Sequence, residues 1–386
     1  MRLLLLLFCT GFPALAASGR QQSGNEALAQ QAVEAERRGD FAGAVSAFQK
    51  LIQSGADGPE LRSNLGIAYF QLQQYREALK HFRVALTKDP GSVSANLFSG
   101  LSLMKLQRPK EAVTFLRRAN ASKPANPDVL VALAQAQVAA GALSEANTLF
   151  KKATELRTDD AHAWYGLGVT DRALAEEHLK ASGGSDREHA RQLMDAADAA
   201  LARAVELNPD AVGAYMVLGE SFRIAEQYDE AVEAYKAATE RKPDFAPAWA
   251  GLAVAYSAAG KDEEVLEAAR RALALDPRDA ATNVLIAATY LRQSDLARAR
   301  EYVHYALELQ PDLGSAHVVL AKIALQEHQP EKALPELRAA AKDDLDGSTY
   351  YLLATTLRQL GKTNEAAAAM QQYKRLHAAH LGTAAP

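Results

Sequence analysis

Residues Ala214–Pro243 read AYMVLGESFRIAEQYDEAVEAYKAATERKP, two apolar-periodic segments joined by a short polar stretch and closed by a proline. In the first, Tyr215, Leu218, Gly219 and Phe222 fall 3, 1 and 3 residues apart, which places them on one face of a helix. In the second, Ala231, Tyr235 and Ala238 keep helical spacing until Pro243 stops the segment. A lone helical hairpin of this size cannot bury both of its faces, so the stretch requires neighbours of its own kind.

The chain supplies them. Pro243, Pro277 and Pro311 are 34 residues apart, as are Pro90 and Pro124. Ala44, Ala78, Ala112 and Ala146 keep the same step, and Val265, Ala299 and Ala333 follow Ala231. A 34-residue unit with aromatic-x2-Leu-Gly-x2-aromatic, then Ala-x3-aromatic, then proline resembles the tetratricopeptide repeat (TPR). About ten copies run in register from near Asn25 to Leu376. The resemblance implies an all-α solenoid of helical hairpins, wound as a right-handed superhelix with the first helix of each hairpin on its concave face.

Formal charge is 43 basic against 47 acidic residues, a net −4 over 386 residues, which favours neither nucleic acid nor an anionic membrane surface. Residues 1–16 differ from the rest: Arg2, the apolar run Leu3–Phe8, then Ala14-Leu15-Ala16 read as a signal peptide with its cleavage site. That run is shorter than the about 20 apolar residues a bilayer span needs. No other segment qualifies, so no membrane span is expected in the mature chain. Cys9, the single cysteine, lies inside it, and Phe8 is bulky where a lipoprotein signal wants a small residue. The expected organisation is a signal peptide at 1–16, a disordered tether at 17–24, the solenoid at 25–380 and a flexible tail at 381–386. Export to the periplasm or beyond follows.

Departures from the period carry information. The first repeat has Ala32 and Ala35 in place of the glycine and aromatic, as a terminal cap would. In the fourth, Thr158 replaces the closing proline. The next closing residue, Pro209, falls 51 residues after Thr158 instead of 34. The 17 extra residues lie near 174–190, where Gly183-Gly184 ends one helix and Ser185 with Glu188 caps the next. Both helices of that hairpin are therefore lengthened, either through drift between repeats or as a partner-binding spur. In the ninth repeat Pro335 falls about six residues into the second helix, where the lost hydrogen bond and ring clash cost about 3 kcal/mol. A kink and the least stable repeat are expected there.

Catalytic constellations are missing. Gly361-Lys362-Thr363 imitates the end of a phosphate-binding loop, but Thr356 stands where its first glycine belongs. Gly166-x-Gly168 lacks a third glycine and a preceding strand, and Gly168 is the residue in register with the repeat glycine. His377 and His380 are three apart on a terminal helix, a weak metal pair at most. No cofactor, metal or enzymatic activity is expected.

In TPR proteins, positions 2, 5, 6, 9, 12 and 13 of the first helices often point into the groove. That framework selects Asn64, Phe70, Phe98, Leu101, Tyr165, Arg172, Met216, Arg223, Arg292 and Lys322 as partner-binding residues, with Val254, Val318, Tyr351 and Arg358 beside them. Chaperone-binding TPR proteins clamp a C-terminal carboxylate with lysine, asparagine and arginine; here only Asn64 matches, so that clamp is absent. The resemblance implies a non-enzymatic scaffold or adaptor that holds protein or peptide partners, in bacterial envelope assembly or secretion. The alternatives are a recognition subunit of a separate envelope enzyme, of glycosyltransferase or peptidase type, and a binder of glycan or peptide cargo. The oligomeric state stays open.

Overall fold

The structure, a computed structural model, describes residues 19–181 and 187–380, with side chains over 24–179 and 188–379. Among these residues the chain is α-helical without strands. The helices are α1 (Gly19–Arg37), α2 (Phe41–Gln53), α3 (Pro59–Gln71), α4 (Tyr75–Lys88), α5 (Val93–Lys105), α6 (Pro109–Ser122), α7 (Pro127–Ala139), α8 (Leu143–Leu156), α9 (Ala161–Ala181) and α10 (Arg187–Leu207). They continue as α11 (Val212–Ile224), α12 (Tyr228–Arg241), α13 (Ala246–Ala258), α14 (Asp262–Leu275), α15 (Ala280–Arg292), α16 (Leu296–Leu309), α17 (Gly314–Gln326), α18 (Pro330–Ala340), α19 (Ser348–Gln359) and α20 (Thr363–His380). α1, α3, α5, α7, α11, α13, α15, α17 and α19 each pair with the even-numbered helix that follows, and within each unit neighbouring hairpins pack on one another, as α2 on α3 and α12 on α13. The chain divides into two compact units, one ending at Thr170 and the other beginning at Asp171.

The 34-residue period is visible in the starts of the first helices, at Pro59, Val93 and Pro127 in the first unit and at Val212, Ala246, Ala280, Gly314 and Ser348 in the second. The signal segment 1–16, the Gly183–Ser185 turn and the tail 381–386 lie outside the described residues. α1 begins at Gly19, so residues 19–24 of the expected tether are helical instead, in keeping with the good helix formers Gln21 and Gln22. α9 and α10 are each 21 residues long, against 13 and 14 in the regular hairpin formed by α11 and α12.

The small residues at the 34-residue step line the seam inside each hairpin. Ala44, Ala78, Ala112, Ala146, Ala231, Val265, Ala299, Ala333 and Ala366 are all at most 1% exposed. In most hairpins a larger residue follows four positions on; Phe48, Phe82, Phe150 and Tyr235 are examples, and Phe82 and Tyr235 press on the neighbouring first helix. A Cβ on Gly66 would come 2.5 Å from the Phe82 ring, and one on Gly219 would come 2.7 Å from Tyr235. Tyr235 is gripped on its other edge by Gly251 of the next hairpin, so one ring closes two interfaces. In α9, Gly166 lies against an aromatic, Phe150 of α8.

Each regular hairpin turns through three residues whose middle one has positive φ. These are Gly39, Gln73, Gln107, Gly141, Glu226, Gly260, Ser294, His328 and Gly361. The following N–H then reaches the carbonyl five residues back, as Gln74 does to Tyr69 at 2.9 Å and Gln227 to Phe222 at 2.8 Å. Side chains are disfavoured at such φ by about 1–2 kcal/mol. Replacing Gln73, Glu226 or Ser294 with glycine should therefore raise stability by about 0.5–1 kcal/mol each, while Gly141→Ala should lower it by a similar amount; urea midpoints at constant slope measure both.

Pro335 sits within α18 without ending it. The irregularity falls at the C-terminal end: α18 has 11 residues against 14 in α16, and Ala341–Asp343 tightens into a 3₁₀ turn. A proline removes only the single bond to the Glu331 carbonyl, so the helix survives there while its last turn is lost. Amides of α18 should exchange with solvent faster than those of α12, α14 and α16, and equal protection by hydrogen-exchange mass spectrometry would contradict this.

Candidate functional site

The first helices of neighbouring hairpins touch one another: α3 meets α5 and α5 meets α7 in the first unit, and α11 through α17 do so in sequence in the second. Residues 34 apart on these helices therefore align in columns across the face they share.

Within the first unit this face is largely core. Phe98 is 3% exposed, stacked on Phe82 with centroids 6.3 Å apart and edge-on to Phe70 at 5.3 Å. Phe70 is half-buried and also meets Tyr75, at 5.4 Å. Leu101 is half-buried between two core clusters. Asn64 and Tyr165 are half-buried too. Phe98 is thus no groove residue: its position turns toward the second helix because the facing helix offers Phe82.

In the second unit the arginines expected to face a partner are held by the protein. Arg172 Nη1 donates to the Val217 carbonyl at 3.1 Å and its Nε to Glu176 at 3.4 Å. Arg223 forms two bonds to Glu220, 2.8 and 2.7 Å long, which hold the Glu220 carboxyl below the ordinary range. Burial, with Glu220 nearby, pushes the Tyr235 hydroxyl up to about 12, so it stays neutral and can donate to that carboxylate. Arg292 reaches back one repeat to Asp262 at 3.0 and 2.6 Å and also donates to Thr289. Each arginine is a clamp between or within hairpins. Met216 packs half-buried against the core.

What remains open is narrower. One column runs Glu220, Val254, Ala288 and Lys322 on α11, α13, α15 and α17. Val254 is 40% exposed, and Ile224, one turn on from Glu220, is 52% exposed. Lys322 is exposed, and among the described residues it has no ion-pair or hydrogen-bond partner; Arg358 on α19 is likewise exposed and unpaired. Ile224 escaped the sequence reading, although it occupies the thirteenth position of its helix, where the framework would have found it.

Tyr351 belongs elsewhere. It shares its register with Asn96, Trp164, Trp249 and His317, the fourth position of the first helix. Asn96 donates to the Pro90 carbonyl, Trp164 to Thr158 and Trp249 to Pro243, each at 2.9 Å. Tyr351 instead packs on Tyr373 of α20 at 5.3 Å, and Tyr373 in turn stacks on His377 at 5.1 Å. Val318 lines a cleft of roughly 570 Å³ that also takes in Asp312, Asp343 and Asp344. Two Asp344 oxygens there accept the Gly347 and Tyr350 N–H groups, a cap for α19. Among the described residues no group of three or more His, Cys, Asp or Glu is placed to hold a metal. No described helix is long and apolar enough to cross a membrane.

Tetratricopeptide repeat models match residues 29–93, 63–127, 184–244, 284–344 and 318–380, and a second model with the same description matches 103–168 and 222–289. The chain belongs to the tetratricopeptide repeat family. No curated protein matches it. Among solved structures it is similar to a thermophilic TPR protein of Thermus thermophilus, at 24% identity over 52% of this chain and 100% of that one, with a TM-score of 0.41. It is also similar to a tetratricopeptide repeat protein from Parabacteroides merdae, at 18% identity over 69% of this chain and 98% of that one, TM-score 0.49. A third is YrrB, a TPR protein with an unusual peptide-binding site, at 21% identity over 52% and 95%, TM-score 0.41.

Serine at Phe98 and Leu101 should lower the melting temperature by many degrees, because a buried aromatic and its neighbour lose about 3–5 kcal/mol of packing. Scanning calorimetry of the double variant reads this directly, and an unchanged transition would return both residues to the groove.

Proposed function

We propose that this protein is a non-enzymatic scaffold that captures a segment of a protein partner on the face shared by α11, α13, α15 and α17. Supporting the reading most directly is the column through Val254, Ala288 and Lys322: apolar surface left open in the middle, with an uncommitted cation at one end, on a repeat fold used for protein recognition. Apolar side chains anchor the partner by desolvation, and Lys322 with Arg358 selects a segment carrying an acidic group beside its apolar residues. Arg172, Arg223 and Arg292 do not contact the partner in this reading: Arg172 and Arg292 tie neighbouring hairpins together, and Arg223 is held by Glu220 on its own helix.

The compartment proposed is the cell envelope, reached by export through residues 1–16. Arg2, the run Leu3–Phe8 and Ala14-Leu15-Ala16 support it.

The experiment is affinity capture from envelope extract with the wild-type chain and the V254D/K322E variant side by side. Loss of about tenfold or more of a specific bound protein, at an unchanged melting temperature, is the expected result. Retention of every bound protein by the variant defeats the groove assignment. A recovered chain whose first residue is Ala17 supports export, and an intact Met1 argues against it.

A further inference from the structure

Charge is divided unevenly between the two units. Residues 1–170 carry 19 basic against 14 acidic residues, a net +5, and residues 171–386 carry 24 against 33, a net −9. The overall −4 conceals this division.

In the first unit the uncommitted cations lie on the second helices, away from the face that the first helices share. Arg83, Arg117 and Lys151 stand 34 residues apart and so occupy one register of α4, α6 and α8, with Arg118 and Lys152 beside the last two. All five are exposed, and among the described residues none has an ion-pair partner. Of the acids on these helices, Glu77 is taken by Lys80 at 2.7 Å and Glu111 by Arg108 at 2.6 Å, which leaves Glu145 and Glu155. Leu156, one turn past Lys152, is 47% exposed.

In the second unit the balance reverses. Glu233, Glu267 and Glu301 are 34 apart on α12, α14 and α16 and are exposed, where the first unit has Lys80, Thr114 and Thr148 in the same register. The cations one turn on are engaged, Lys236 by Glu233 at 2.9 Å and Arg270 in donating to the Tyr290 hydroxyl at 2.9 Å. Glu263, Glu264, Glu267 and Glu301 have no ion-pair partner among the described residues, and of the arginines on α14 and α16 only Arg271 is equally uncommitted there. Tyr305, one turn past Glu301, is 42% exposed.

We infer that copies of this chain associate through unlike units, the α6–α8 face of one molecule seated on the α14–α16 face of another. Exposed ion pairs contribute little each, so Leu156 and Tyr305 supply the apolar centre while the charges form the rim and select the opposite face. Like faces repel, which disfavours α6–α8 against its own counterpart. The contact uses second helices, so it stands independently of the column on α11, α13, α15 and α17.

Sedimentation velocity on the full chain, at about 50 mM and about 500 mM NaCl, tests this. Self-association at low salt, weakened roughly tenfold or more at high salt, is expected. R117E/K151E and E267K/E301K should each be monomeric with an unchanged melting temperature, because all four side chains are exposed. Mixed in equal amounts, the two variants should associate again, since the reversed charges then meet. A wild-type chain that stays monomeric at up to about 100 μM in low salt, association insensitive to salt, its persistence in either variant, or a mixture that stays monomeric would overturn the inference. So would a monomer bound by phosphatidylglycerol vesicles and released by R117E/K151E, which assigns the basic face to a lipid surface.

Discussion

Each regular hairpin closes on one hydrogen bond, from the residue after a left-handed turn residue to the carbonyl five positions back, as in Lys261 to Tyr256 at 2.9 Å. That bond fixes the length of the turn at three residues, and the turn fixes how far the second helix slides along the first. Only with that register held does Phe82 meet Gly66 and Tyr235 meet Gly219. The contact tolerates no error, since a single Cβ at either glycine would overlap the ring. The seam of alanines then lets the two helices approach closely enough for dispersion and apolar burial to hold them. Repetition follows because each hairpin leaves its second helix open to the next.

The fold was legible in the sequence because these devices need particular residue types. Small residues recur at 34 because the seam inside each hairpin is tight, and in several repeats an aromatic follows four positions later, where its ring fills the gap beside the first helix. The turns were less legible. Gly39, Gly141, Gly260 and Gly361 announce their left-handed conformation, while Gln73, Gln107, Glu226, Ser294 and His328 adopt it without doing so. They are held there by the helices on both sides, so only the period reveals them. The recurring proline proved to matter less as a helix breaker than as a carbonyl: Trp249 donates to Pro243, and Trp164 donates equally well to Thr158. That is why threonine can stand in its place.

The binding face was legible only in outline. Position in the repeat says which side of the helix a residue occupies, but not whether a partner inside the chain has already claimed it. Arg223 and Arg292 stand at positions that face outward, yet Glu220 and Asp262 bind them. Glu220 lies 3 positions before Arg223, a pairing that helix geometry allows, whereas Asp262 lies 30 positions before Arg292, a separation that helical periodicity does not connect. Phe98 fails differently. Its position is half-buried in Asn64, which stands one repeat earlier, and buried in Phe98, because an aromatic there can reach Phe82 and an asparagine gains nothing from doing so.

Committing the arginines inward has a consequence for recognition. An exposed ion pair contributes little stability, but a pair that spans two hairpins, such as Arg292 with Asp262, also sets the angle at which their first helices meet. The column Glu220, Val254, Ala288, Lys322 is then a row of side chains on helices of fixed spacing, not a set of independent contacts. Its chemistry changes along its length from an acid paired with Arg223, through apolar surface, to a cation without a partner among the described residues. In the function proposed above, a partner segment laid across it is read by order as well as by content, because reversing the segment would place its acidic group against Glu220 and its apolar residues against Lys322. Under that proposal, direction of binding is encoded by four residues 34 apart, on helices that pack in sequence within the second unit.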